Sequence, residues 1–384
     1  MSVAFLLKEA AMGSLTIKTV RTAKDEMRFI KFLWDIYRDD PNWVAPLIMD
    51  RKKLISRKKN PFYKHSDLEL FLAERDGKIV GRIGAIVNHN HNKEHGDKVG
   101  FFGFFECIND QQVANALFDA AKKFVVSKGM TAMRGPANPS VNDEYGLLTD
   151  GFDGPPTVLM TYNPPYYAAL IEGYGLKKEK DLYAYLLAQK TVYSERMTRF
   201  NEVVKQREKI TFRGVNMKDF DGEVKRIKEV YNKAWSRNWG AVPMTDEEFD
   251  ALAADLKQVI VPELIIMAES KGELIGFALS LPDINVPLKF NKSGGLLTGL
   301  YHLMTKKKLI DLVRVIVLGV VPEHQRSGAA GALFYETARV AKGLGYGYGE
   351  ASWVLEDNIM MNRAAEMMNG KRYRTYRIYQ MDVA

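Results

Sequence analysis

The sequence predicts an α/β fold of the α+β kind, built twice in tandem. Each copy runs strand, helices, hairpin, strand, helix, strand, helix, strand. Three observations predict this. Similar segments recur at one spacing: LTIKTV (15–20) with ITFRGV (210–215), and ERDGKIVGRIGA (74–85) with ESKGELIGFALS (269–280), each 195 residues apart. The recurring segments carry strand and hairpin signals, with Gly in the turn. Val313–Leu333, VRVIVLGVVPEHQRSGAAGAL, reads as a buried strand, a turn and the small-residue start of a helix.

Taken in order, residues 1–14 are expected to be a leader. The first copy spans 15–190, a linking helix 191–209, and the second copy 210–384. After its opening strand each copy has a helical stretch with an aromatic pattern, FLWDIY (32–37) and IKEVYN (227–232). Asn42-Trp43 and Asn238-Trp239 follow at nearly the same offset. Two insertions distinguish the copies: 281–312 in the second, and the proline-rich, polar and aromatic stretch 137–165 in the first. A segment as long as 137–165 inside a compact domain points to a functional loop.

The stretch 313–333 builds an anion site. Pro322 ends regular pairing, and from Gln325 the side chains become small. The first N–H groups of the helix that follows have no intrahelical partner, and the helix dipole adds positive potential there. The order Leu318-x-Val320-x-Pro322-x-x-Gln325-x-x-Gly328-x-Ala330-x-x-Leu333 resembles the acyl-CoA-binding signature of the GNAT acyltransferase superfamily. The resemblance covers nearly the whole chain from residue 15, and the chain is most similar to tandem GNAT proteins. It implies two mixed, mostly antiparallel sheets with helices on both faces. It also implies acyl-CoA, acetyl-CoA first of all, as co-substrate. On it, CoA would be held by Leu318, Gly319, Val320, Gln325, Arg326, Ser327, Gly328, Ala329, Ala330 and Gly331, with Asn358 and Asn362 beside the pantetheine arm. The family often has a Tyr acid near position 369; this chain has Asn369, which leaves Tyr373, Tyr376 and Tyr379 as the available hydroxyls, Tyr376 and Tyr373 first.

The first copy lacks the phosphate loop. Asn109, Asp110 and Gln111 stand in its place. Asp110 suits a helix N-cap, and its carboxylate would repel a pyrophosphate. This copy is therefore expected to shape the acceptor pocket. Asn138, Asn142, Asp143 and Tyr162 from its loop, with Asn238 and Trp239 from the second copy, are the candidate acceptor residues. Direct attack by an amine on the thioester needs a base; Glu350 and Glu106 are the strand-borne carboxylates for it. No Ser-His-Asp or Cys-His arrangement is evident.

The rest bounds the reading. The chain has 384 residues, a net charge of +8 and one cysteine, Cys107. The single cysteine excludes an internal disulfide framework and suggests a reducing, cytoplasmic setting. The positive charge suits an anionic partner such as CoA. No apolar run is long enough to span a bilayer, and no nucleic-acid motif accompanies the basic run RKKLISRKK (51–59), which reads as a solvated face. His89, His91 and His95 lack the companions of a zinc site and read as a solvated, Asn-rich loop, so no metal is expected. The leading expectation is an N-acyltransferase acting on a small-molecule or peptide amine. The alternatives are a Fem-type aminoacyl-tRNA-dependent transferase and a non-catalytic CoA-binding scaffold.

Overall fold

The computed structural model of the chain describes residues 14–235 and 238–383; all but the last residue of the expected leader lies outside them. The first half supplies β1 (Leu15–Thr19), β2 (Ser66–Arg75), β3 (Lys78–Asn88), β4 (Val99–Cys107), β5 (Ala132–Gly135), β6 (Ala137–Asn138), β7 (Glu144–Tyr145), β8 (Leu147–Asp150) and β9 (Lys177–Ala188). The second supplies β10 (Ile210–Gly214), β11 (Ile265–Ser270), β12 (Glu273–Pro282), β13 (Leu312–Val320), β14 (Tyr348–Leu355) and β15 (Lys371–Asp382).

The repeat is visible in the register. Leu15 faces Arg75 and Ile210 faces Ser270, each partner 195 residues on, and both hairpins carry a bulge at the same step, Ala73/Glu74 and Ala268/Glu269. Among the described residues only β4–β5 and β13–β14 are parallel; the other pairs are antiparallel. This is the mixed arrangement the sequence led us to expect.

Among the described residues thirteen strands form one continuous sheet, in the order β1-β2-β3-β4-β5-β15-β9-β14-β13-β12-β11-β10, with β8 also on β15. The last strand of each half crosses over. β15 lies on β5 of the first half, β9 lies on β14 of the second, and the two pair with each other at the centre.

Helices cover both faces. Strand β4, VGFFGFFEC, is buried along its whole length, which explains its near-continuous apolar run. An irregularity at Phe104, which adopts φ +52°, breaks simple alternation along it, so that Phe102 and Phe104 serve opposite layers. Phe104 packs with Phe29 and Ile30 of helix Ala23–Ile36, whereas Phe102 and Phe105 pack with Leu117 and Phe118 of helix Gln111–Ser127. Thr22 and Asp25 form a reciprocal capping box at the start of the first helix.

Candidate active site

Two slots open in the sheet, one per half, where parallel strands part. β13 and β14 pair only over Leu312–Val315 and Tyr348–Ala351. Beyond Val315 that edge of β13 has no strand partner. β4 and β5 likewise pair only from Val99 to Phe101, but this second slot is plugged. Asn138 Oδ1 accepts the Phe104 N–H at 2.5 Å, and a Cβ at Gly103 would overlap the Ala137 carbonyl oxygen. The plug comes from the start of the first half's own insertion. We expect Gly103→Ala to push β6 off the slot and cost about 1–3 kcal/mol, the usual range for overpacking, read as a lower urea midpoint.

The open slot faces a cavity of about 1960 Å³ between the halves. Val315 to Val320, Gln325 and Ala330 line it from the second half, together with Asn358, Asn238 and Trp239. Asn138, Asn142, Asp143, Tyr162 and Glu106 line it from the first. All six expected acceptor residues thus meet on one wall system with part of the expected CoA loop. Asn142 itself bridges the halves: its Nδ2 donates to the Val242 carbonyl at 3.1 Å and its Oδ1 accepts from Tyr231 at 3.3 Å. Tyr162 donates to Asp40 Oδ2 at 2.8 Å. Trp239 lies under the Arg134 guanidinium, 5.0 Å from the ring centre.

Three carboxylates in this wall differ by environment. Glu106 accepts from Tyr37 at 3.0 Å and from Tyr167 at 2.8 Å, and Arg82 stands 3.5 Å away. Burial pushes its carboxyl up despite the Arg82 charge. Glu144 is held by Arg51 and by Asn138 Nδ2 at 3.2 Å; burial works against its charge, but the Arg51 pair wins and holds it below the ordinary range. Asp143 accepts from the Ser140 hydroxyl at 2.6 Å, and the Ser140 backbone N–H also favours its charged form. It is set in the wall between the halves, with its side chain open to the cavity. Burial raises its pKa to about 7, with Glu144 and Glu248 adding repulsion. Tyr37, Tyr167 and Arg82 were not singled out from sequence. A Tyr in an otherwise apolar helix face and an Arg inside a hairpin strand were the available signals.

The signature loop is only partly turned to the cavity. Gly328 adopts φ +91° ahead of helix Ala329–Gly343, a conformation that favours glycine. Side chains at Gly328 and Gly331 would press on Phe200 and Val204 of helix Glu195–Glu208, and Arg207 Nη2 donates to the Ser327 carbonyl at 2.6 Å. The linking segment therefore packs on one side of the loop, leaving Gln325 and Ala330 on the cavity side. Arg326 is exposed and Ala329 buried. Asn358 caps its helix through Met361 N, and Asn362 accepts from Tyr185 at 2.8 Å and donates to three carbonyls. Asn362 is outside the cavity wall.

Three of the expected catalytic residues sit behind that wall. Glu350 is wholly inaccessible. It accepts from Tyr373, from Ser352 and from Thr157 at 2.8 Å, with Arg314 at 3.7 Å. Tyr376 is fully buried. Burial first, then the Glu350 charge, raises both tyrosines well above their ordinary range. Two readings of the basic and histidine stretches also change. Residues 89–95 form a helix, not a solvated loop. His91 is buried against Phe101, near Asp97 at 3.4 Å, and burial lowers its pKa to about 4. His89 pairs with Asp67 and His95 with the Ala241 carbonyl. Among the described residues no cluster of His, Cys, Asp or Glu is arranged to hold a metal. Arg51 faces the cavity rather than solvent, because Glu144 supplies its partner.

No family model matches the chain. It is 35% identical over 385 residues to the Caulobacter vibrioides protein named bacterial ceramide synthase, covering 97% of this chain and 98% of that one. It is 34% identical over 380 residues to protein YghO of Escherichia coli K12, covering 96% and 95%. A solved tandem GNAT protein from the clavulanic acid biosynthesis pathway aligns at a TM-score of 0.56 and 10% identity, over 97% of this chain and 99% of that one. At that identity the likeness is one of fold.

Proposed function

Since the chain belongs to the family of the Caulobacter ceramide synthase and the E. coli YghO protein, within a tandem GNAT fold, we propose that it is an acyl-CoA-dependent N-acyltransferase for a long-chain amino alcohol. The product would be a ceramide-type amide. The observation that carries this is the cavity. Its volume of about 1960 Å³ is well above the roughly 300–1,000 Å³ of ordinary small-molecule sites. Leu281, Ile284, Leu288, Leu296, Leu300 and Leu303 contribute an apolar wall to it. An acetyl group and a small amine would leave most of that wall facing water.

In this reading CoA enters along Gln325 and Ala330, with its diphosphate at the helix start, and the pantetheine arm lies in the open β13–β14 slot. The amine attacks the thioester carbonyl; the N–C bond forms, the C–S bond breaks and the thiol leaves. Unpaired N–H groups on β13 beyond Val315 are placed to stabilise the oxyanion. Asp143 takes the proton of the incoming amine. The plugged β4–β5 slot and the Asp110 cap, paired with Arg75 at 2.8 Å, support one CoA per chain.

The test is thiol release with acyl-CoAs of increasing length against a sphingoid base and a panel of short amines. We expect kcat/KM to rise by roughly tenfold or more from acetyl to long-chain donors with the sphingoid base, since each buried methylene contributes about 0.8 kcal/mol. Equal rates for acetyl and long-chain donors, or turnover with short amines alone, would overturn the reading.

A further inference from the structure

The second half's insertion leaves an apolar surface that no part of the described chain covers. Helix Leu296–Lys306 turns Leu296, Leu300 and Leu303 to the cavity. Its outer side carries Leu297 (81% exposed), Tyr301 (62%) and Met304 (76%), one turn apart along the helix. Phe290 and Leu309, also exposed, extend the patch at either end. A helix apolar on both sides is ordinarily buried or in contact with lipid. Here the outer side lies open.

The charge around this patch is mainly of one sign. The insertion 281–312 contains five lysines, Lys289, Lys292, Lys306, Lys307 and Lys308, against two acids, the buried Asp283 and Asp311, whose carboxylate accepts from Gly347 N at 2.6 Å. Lys306 stacks over the Phe290 ring at 4.2 Å, while Lys307 and Lys308 are exposed. Apolar residues flanked by an excess of lysines fit a layer of anionic headgroups over acyl chains. No described helix is long and apolar enough to cross a membrane, so the fit is to the surface of a bilayer.

We propose that residues 284–310 of the insertion seat the protein on an anionic lipid bilayer, with Leu297, Tyr301 and Met304 in the interface and the lysines at the headgroups. The same helix walls the cavity on its inner side, so a seated molecule holds its cavity against the membrane. An amphiphilic acceptor then passes from bilayer to cavity without crossing bulk water. That last step rests on the lipid-acceptor reading above; the seating itself does not.

Vesicle flotation of the full chain, without substrates, tests the seating. Phosphatidylcholine vesicles containing phosphatidylglycerol should retain the protein at least about tenfold more strongly than phosphatidylcholine alone, and high salt should erase the difference. The double variant Leu297→Ser/Met304→Ser should lose binding to both. Lys306→Gln/Lys307→Gln/Lys308→Gln should lose the anionic preference. None of these five residues lines the cavity, so both variants should keep wild-type turnover of detergent-dispersed substrate. Failure of the wild type to float on either vesicle, or unchanged flotation of both variants, overturns the proposal. So does light scattering that shows a dimer dissociated by the Leu297/Met304 change with no vesicle binding; the patch then belongs to a second copy. Vesicle binding with no transfer to a long-chain base would instead reject the acceptor reading and leave the seating intact.

Discussion

Asp143→Asn is expected to lower kcat by about a hundredfold or more, the usual worth of a positioned base, while acyl-CoA affinity stays within about threefold. The carboxyl faces the cavity from the loop of the first half, with one hydroxyl donor and no cation beside it. A carboxylate whose pKa lies near the working pH is a better base than an ordinary one. Its pKa of about 7 predicts a wild-type rate that rises with pH through that value as the base ionises, and a variant that loses this limb. The stability effect has the opposite sense. Burial raises this group above its unfolded value, so its ionisation costs stability as pH climbs through about 7. The accessible face of the group makes that cost smaller than the full shift would give. Asn cannot ionise and can still accept from Ser140. The variant should therefore melt no lower than wild type at pH 8. A rate profile unchanged by the substitution would remove Asp143 from the chemistry.

Arg314→Met should produce the largest loss of stability, about 3–5 kcal/mol. Arg314 is 3% exposed. It donates to Ser352 Oγ at 2.7 Å and, across the halves, to the Val158 carbonyl at 2.7 Å. Asp283 completes the tie by accepting from Val158 N at 2.9 Å, and Asn285 Nδ2 donates to the Pro156 carbonyl at 2.9 Å. Methionine fills similar volume but strands Glu350 and Asp283 without their cation. Burial, then the Glu350 charge, lifts the Asp283 pKa to about 7. That carboxyl is neutral in acid and charged in base, so the penalty should be full above pH 7 and shrink as the pH falls below it. Urea titrations at pH 8 and pH 5.5 measure both. Equal losses at the two pH values would contradict this electrostatic account.

The duplication was legible because a β-hairpin writes its register into the sequence: Gly turn, bulge and alternation recur together. The phosphate loop was legible because strand, proline, small residues and helix follow in fixed order. The crossing of β9 and β15 was not, since a strand's pattern specifies which faces are buried and says nothing of which strand lies alongside. The plug at Asn138 was hidden for a related reason. A polar side chain that completes a backbone hydrogen bond resembles one that waits for a ligand. Arg51 sits in a run of basic residues whose ordinary place is the surface, and only its pairing with Glu144, far along the chain, draws it inward. Glu350 has the residue type of a base, but its donors come from Tyr373, Thr157 and Ser352, three different elements.

The crossed terminal strands also govern how the chain is made. Tyr379 must find Gly135, and Thr375 must find Tyr183, so the centre of the sheet cannot close until β15 has left the ribosome. Until then β5 presents a bare edge, the kind of template on which stray strands add. Long-range pairings of this sort are slow to form. The newly made first half must wait, incomplete, for the last strand of the second. Loss of β15 would therefore damage the half that was translated first.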